Sequence, residues 1–235
     1  MVESVDTVDL KSTESDLVPV RVRLAAPSKK PLLSVRAKEV FPLFYKDEFG
    51  IIILTNHFME MYTLIIITEY RKVDTRKLME IYSESNYENT NYFYPEDSDK
   101  EAAVRKVESG FLDFLKNDFF KKTDATYWIL EIDGVWVSAL RTCKIQEGLY
   151  YIEALETRPD CRRKGYGAEL LSSAADSLKK NGSFRLCSCV SKKNIASLRT
   201  HEKCDFQIVS EEGYDYLNGE ADDRDFSLEY CYSGA

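Results

Sequence analysis

The chain predicts an α/β fold in which a mixed, mostly antiparallel sheet is flanked by helices. Three observations carry this. Strand-like runs and stretches of helical period follow one another from Tyr62 to Tyr232. The pair Asp133-Gly134 sits between two β-rich runs, a two-residue hairpin signal that makes those strands antiparallel. One strand is followed by a well-patterned helix and another strand, a connection that makes those two strands parallel.

The elements follow in order. Tyr62 to Thr68 is a β-rich run, and Asp74 is the N-cap of a helix over Thr75 to Tyr82, with Leu78 and Ile81 three apart. Glu84 to Asp97, with Tyr87, Tyr92 and Tyr94, is expected as a long polar and aromatic connection. A second helix runs from about Lys100 to Phe120, with Val104, Val107, Phe111, Leu112 and Leu115 on one face. The hairpin strands are Thr126 to Ile132 and Val135 to Lys144. Tyr150 to Thr157 is the next strand, followed by a helix from Tyr166 to about Lys180 that stops at Asn181-Gly182. Phe184 to Val190, a helix near Asn194 to Lys203, and strands Phe206 to Ser210 and Phe226 to Tyr232 complete the order.

With 235 residues, the chain has room for this domain, at 62–235, and an N-terminal extension at 1–61. Met1 to about Lys46 has no sustained period and contains Pro27 and Pro31, as a flexible extension would. The same segment resembles the opposite-strand translation of a transfer-RNA gene joined to the downstream frame. That origin would put the natural start at Met59 or Met61.

Composition is that of a soluble globular protein, with 44% hydrophobic and 31% charged residues. The run Leu64 to Ile67 is far too short to span a membrane, and no secretory leader opens the chain, so the expected location is cytoplasmic. Six cysteines without a CxxC pair and only two histidines argue against a metal site. Cys187 and Cys189 alternate on one strand face, as reduced structural thiols would. A net charge of −8 argues against nucleic-acid binding and makes a basic turn a local anion site.

That turn is Arg162-Arg163-Lys164-Gly165-Tyr166-Gly167, between a strand and a helix. Its glycines let backbone approach a ligand, and the helix that starts there offers unpaired N–H groups and a positive dipole end to a diphosphate. The spacing fits neither the Rossmann fingerprint nor the Walker loop.

The segment resembles motif A of the GNAT N-acetyltransferase superfamily, L-x-V-x-P-x-x-[RQ]-x-x-G-x-[GA], through Leu155, Pro159, Arg162, Gly165 and Gly167, with Thr157 in place of the usual Val. Asn194 to Ser197, continuing through Glu202 to Phe206, is similar to motif B of the same family. The likeness covers about Tyr62 to Tyr232 and identifies a bacterial-type member with the acyl-CoA acyltransferase fold.

The resemblance implies acetyl-CoA as acyl donor, no metal, and direct transfer to an amine of a small molecule or protein. Backbone amides of Arg163 to Gly167, with Lys164 and Tyr166 among them, would hold the pyrophosphate, and Arg162, Arg163 and Lys164 would add charge. The Leu155 to Thr157 edge would pair with pantetheine. Asn194 would bond the cofactor's polar arm, and Ser197 counts with the cofactor contacts.

A general base is expected on the strand before the turn. Alternation places Tyr151, Glu153, Leu155 and Thr157 on one face and Ile152, Ala154 and Glu156 on the other. At the positions where relatives with an assigned base carry it, this chain has Glu153 and Tyr151. Glu153 is the candidate base, with a salt-bridge or charge-anchor role as its alternative. The motif B tyrosine falls at His201, the candidate acid for the leaving thiolate or a holder of the coenzyme sulfur, and the usual glycine falls at Asp205.

Glu211 to Glu229 carries eight acidic residues and one arginine, read as a solvated loop or as an acidic rim for cationic amines. The Asn86 to Tyr94 tyrosines could line the same cleft. A homodimer stays open. The competing functional class is a non-catalytic acyl-CoA-binding sensor or interaction module.

Overall fold

The structure is a computed structural model describing residues 43–47, 50–57 and 60–234, with side chains described from Tyr62 onward. Its strands are β1 (Leu43–Asp47), β2 (Gly50–His57), β3 (Glu60–Ile67), β4 (Thr126–Ile132), β5 (Val135–Gln146), β6 (Leu149–Thr157), β7 (Phe184–Ser191), β8 (Gln207–Ser210), β9 (Gly213–Asp215), β10 (Glu220–Asp222) and β11 (Asp225–Tyr232). The helices are α1 (Thr75–Ile81), α2 (Ser83–Phe93), α3 (Lys100–Asn117), α4 (Tyr166–Leu178) and α5 (Ile195–Lys203). Among the described residues the main sheet runs β1-β2-β3-β4-β5-β6-β7-β11-β8. Its pairs are antiparallel except β6 with β7, which are parallel as the intervening helix requires.

Local chemistry explains most boundaries. Asp74 accepts from the Lys77 amide at the start of α1, and Asp99 does the same for Ala102 at α3, each cap worth about 1 kcal/mol. Asp133 and Gly134 both have positive φ, 50° and 77°, which matches their turn to the twist of the β4–β5 hairpin. Gly182, at φ 91°, ends the α4 region.

Each face of the sheet has its own apolar core. Trp128, Leu130, Leu140, Ile152 and Leu155 pack with Leu170, Leu171 and Ala174 of α4. On the opposite face Tyr127, Ile129 and Trp136 pack with Leu78 and Ile81 of α1 and Leu115 of α3. Alternation along β4 feeds the two cores in turn, the period-2 pattern of a sheet covered on both sides.

Three expectations are corrected. Ser83–Phe93 is a helix; it buries Ser85, Asn86 and Thr90, which are polar, so no hydrophobic period marks it. The acidic segment after β8 is an ordered hairpin, β9–β10, that packs beside β7 and β11. In and around it Asp222 pairs with Arg224, Glu229 of β11 with Arg185, and Glu211 with Lys192. Finally, the sheet runs two strands past the expected boundary at residue 61, since β2 pairs with β3 and β1 with β2. The β-branched run Ile51-Ile52-Ile53 suits that role. Expectations for residues 1–42 lie outside the described residues. Among the described residues, no helix is long and apolar enough to cross a membrane.

Candidate active site

The parallel pair β6–β7 is joined only through Leu149↔Arg185 to Ile152↔Ser188. Beyond that point the strands part, leaving residues 153–157 of β6 and 189–191 of β7 without each other as partners. The turn before α4 follows the carboxyl end of β6, and Asn194 before α5 follows the carboxyl end of β7. Both helix starts therefore border the same opening, the usual place for a ligand at the strand ends of a parallel unit.

At the turn, Arg163 has φ 67° and Gly165 φ 92°. A Cβ on Gly165 would meet nothing within 4 Å, so the glycine serves the backbone angle and leaves open space in front of it. Gly165 is also the N-cap of α4 and gives no side-chain cap, so the first amides of the helix lack an intrahelical acceptor. Arg163 and Lys164 are exposed and add positive charge, with the Lys164 ammonium 5.9 Å from the Tyr166 ring centre. These residues fit a diphosphate. The free β6 edge, including Leu155 and Thr157, fits the amide-bearing arm of coenzyme A.

Arg162 departs from its expected role as part of that charge. Its guanidinium turns to the other side, donating from Nε to Thr157 O at 3.1 Å and from Nη2 to Glu156 at 3.2 Å, and bonding Glu84 through Nη1. It braces the turn against α2. Glu156 also accepts from Ser85 Oγ at 3.0 Å. Burial raises the Glu156 carboxyl to about 7, against the pull of the Ser85 bond and Arg162.

The expected alternation along β6 is also broken. Arg141 of β5 faces Ala154 while Thr142 faces Ile152, so Glu153 is an extra residue in a β-bulge. Ile152 and Leu155 consequently enter the same core, on the α4 side. Glu156 comes round to the face of Glu153, the α1–α3 side, where it meets Ser85 of α2. Leu155 therefore does not share a face with Glu153, a register effect that counting by twos cannot reveal.

Glu153 is almost fully buried and accepts from Lys122 Nζ at 2.8 Å. Around it lie Cys143, whose thiol burial pushes to about 12, and Asp215 at the end of β9. Burial raises the Asp215 carboxyl from its ordinary value, and its side chain bonds Tyr151. Lys122 gave no sequence signal, and Asp215 gave one only as a member of the acidic segment Glu211 to Glu229. Neither belongs to a motif, and each reaches Glu153 only through the fold.

His201 is buried, packed edge-on against Phe206, with Nδ1 2.9 Å from the carbonyl of Ser197. That carbonyl can only accept, so Nδ1 carries a proton. Burial holds the ring's pKa down to about 4, opposed by the Ser197 bond, so at neutral pH Nε2 is a bare lone pair. The expected acid role does not fit: the one N–H is committed to backbone. The ring can still accept a hydrogen bond at Nε2, which has no partner among the described residues. Ser197 is buried beside it, its amide donating to Asn194 Oδ1 as the N-cap bond of α5. Tyr87 and Tyr92 are exposed on α2, and Tyr94 is half-buried beside Lys106. Cys187 and Cys189 share a face as expected, both unpaired with any other thiol. Among the described residues no cluster of three His, Cys, Asp or Glu could hold a metal ion.

Parted parallel strands, an uncapped helix start and a basic turn define a transferase that draws its acyl group from coenzyme A. The model of the acetyltransferase (GNAT) family matches residues 76–206, and the chain belongs to that family of acetyl-CoA-dependent enzymes. Solved structures with the same kind of fold include PaiA N-acetyltransferase from Thermoplasma acidophilum in complex with coenzyme A. It is 18% identical over 72% of this chain and 99% of its own, with a TM-score of 0.49. Another is the ribosomal-protein-S18-alanine N-acetyltransferase of Escherichia coli, 17% identical over 74% and 96%, TM-score 0.48. A third is the N-acetyltransferase PseH of Campylobacter jejuni, 17% identical over 72% and 99%, TM-score 0.46. No curated protein matches the chain significantly.

Proposed function

We propose that this enzyme transfers the acetyl group of acetyl-CoA directly to a primary amine of a small molecule or protein, with Glu153 as the base. The observation that carries the proposal is the bulge that sets Glu153 where β6 leaves β7, beside the free edge of residues 153–157. Acetyl-CoA supplies an acyl group activated as a thioester. The amides of Arg163 to Gly167 hold its pyrophosphate at the start of α4, with Arg163 and Lys164 as counter-charge. The Leu155 to Thr157 edge fixes the pantetheine arm, and the Asn194 to Ser197 turn bounds the opening on the β7 side.

An amine at neutral pH is an ammonium and cannot attack. Glu153 takes its proton, directly or through one water, so that nitrogen can bond the carbonyl carbon as the carbon–sulfur bond breaks. Lys122 donates a hydrogen bond to the Glu153 carboxylate at 2.8 Å. No acid for the thiolate is assigned to this chain, because His201 has no free proton to give.

The test is release of free CoA in the presence of a panel of primary amines. Glu153→Gln should lower kcat/KM by about 10²- to 10⁴-fold while acetyl-CoA still raises the melting temperature. A binding module would show the thermal shift with no amine releasing CoA. Undiminished turnover by the Gln variant would move the base elsewhere.

A further inference from the structure

Arg141 is the strongest buried charge that the proposed reaction leaves unused. It lies on β5 opposite Ala154, the residue after the bulged Glu153, and is 5% exposed. Its guanidinium sits 5.2 Å from the ring centres of Phe111 and Phe114 and 5.7 Å from that of Phe119. The rings can attract the cation but offer its N–H groups no lone pair. Its N–H donors lie in the plane, and there Nε and Nη1 have no acceptor among the described residues.

The groups around Arg141 do not supply one. Tyr82 and Tyr127 are close, and the Tyr127 hydroxyl donates to Tyr82 at 2.6 Å, but neither phenol oxygen forms a hydrogen bond with Nε or Nη1. Burial lifts Tyr82 to about 12 and raises Tyr127 well above its ordinary value, so neither is a phenolate. Glu153 is in Coulombic range, yet Lys122 takes its carboxylate. Buried charges are ordinarily paired, and an arginine with idle donors beside a reaction centre calls for an anion.

The surroundings show from which side such an anion would come. Lys122 is half-buried and its ammonium stands 5.5 Å over Phe114, the same ring that Arg141 covers. Two cations therefore share one half-buried phenylalanine, the first toward solvent and the second inside. Beside them are the carboxylates of Glu153, which accepts from Lys122 at 2.8 Å, and of Asp215, in Coulombic range of Glu153. Cations and carboxylates gathered in one place suit a molecule carrying both charges.

We infer that the acceptor is an amine that also bears a carboxylate, such as a free amino acid, with Arg141 binding the carboxylate and Glu153 facing the amine. This rests on the acyl-transfer proposal above and narrows its substrate. The binding forms charge-assisted hydrogen bonds in a site largely withdrawn from water, where an analogue lacking the carboxylate leaves the arginine unpaired.

The experiment compares acceptors that share one amine and end in a carboxylate, a carboxamide or a hydrogen. Wild-type kcat/KM should favour the carboxylate by about 10- to 100-fold, chiefly through KM. Arg141→Met should bring the ratio of carboxylate to carboxamide close to one, and Arg141→Lys should restore part of it. A retained acetyl-CoA thermal shift shows that the variants are folded. If they do not fold, the wild-type ratio decides, together with competitive inhibition by the same carboxylates lacking the amine.

Turnover of the three acceptors at equal rates, or a ratio that survives Arg141→Met, overturns the inference and leaves acyl transfer standing. If no amine releases CoA, both proposals fall together.

Discussion

The proposed donor and acceptor sides of this site are built from different materials. Around the β6–β7 opening the useful groups are backbone: amides at the start of α4, the free edge of residues 153–157, and a turn with positive φ at Arg163 and Gly165. Under α1–α3 they are side chains withdrawn from water: Glu153, Lys122, Arg141 and Asp215. Backbone groups carry partial charges that need no counter-ion, so such a site can stand open without destabilising the fold. Ionised side chains in an interior must be paired, so the acceptor side is a compromise among charges that a substrate can rearrange.

The two halves are tied together at one place. Arg162 joins the turn to Glu84 of α2 and to Glu156, which is bonded to Ser85 of the same helix. Arg158 bonds Glu80 of α1 at 2.7 Å. The helices over the acceptor side thus hold the loop that serves the donor.

The sharpest way to separate the halves is Gly165→Glu. It should abolish the rise in melting temperature caused by acetyl-CoA, because a carboxylate would stand where the diphosphate binds. The fold should survive with a loss of about 1–2 kcal/mol for the positive φ, since a Cβ there meets no atom within 4 Å. A thermal shift equal to the wild type would move the donor site away from this turn.

The joint between the halves is tested by Glu156→Gln through its pH dependence. The Glu156 pKa is raised by burial from 4.5 to about 7, so the folded protein holds this proton more tightly than the unfolded chain. Its contribution is complete below about pH 4.5 and is lost as pH rises to about 7, on the order of 3 kcal/mol in all. The Gln variant keeps its amide neutral, so its stability relative to wild type should grow between pH 5 and 8 in denaturant titrations. A constant difference across that range would show that Glu156 is ionised throughout.

The smallest effect is expected from His201→Phe. A working general acid would be worth about 10²- to 10⁴-fold, so kcat should change by less than about fivefold if the ring has no such role. A fall of a hundredfold would return the acid role to it. Stability supplies a second reading. The folded ring holds out against protonation to about pH 4, while the unfolded ring takes a proton near 6.5. Wild-type stability should therefore fall as pH drops from 6.5 to 4, and the Phe variant should lack that part of the slope.

Most of the fold was legible because its signals are local. The cap Asp74, the Asp133-Gly134 turn and the apolar stripe of α4 each act within a few residues, and each marks an element in the right place. The α2 helix was missed because it buries Ser85, Asn86 and Thr90, and polar burial leaves no hydrophobic period. The hairpin β9–β10 was missed because its acidic residues suggest solvent, whereas the Tyr214 amide bonded to Ser227 and the Tyr216 ring packed on Tyr151 tie it to the sheet. The faces of β6 were misassigned because a bulge depends on the partner strand.

By itself the sequence determined the basic-glycine turn and the helix start beside it, on which the proposed donor side rests, because those glycines and basic residues are neighbours in the chain. Only the tertiary structure decided the acceptor side. There Lys122, Arg141, Glu153 and Asp215 come from four separate places, and a buried charge takes its meaning from the partner that folding sets beside it. The same dependence turned Arg162 from an anion ligand into a brace and His201 from a proton donor into a buried acceptor.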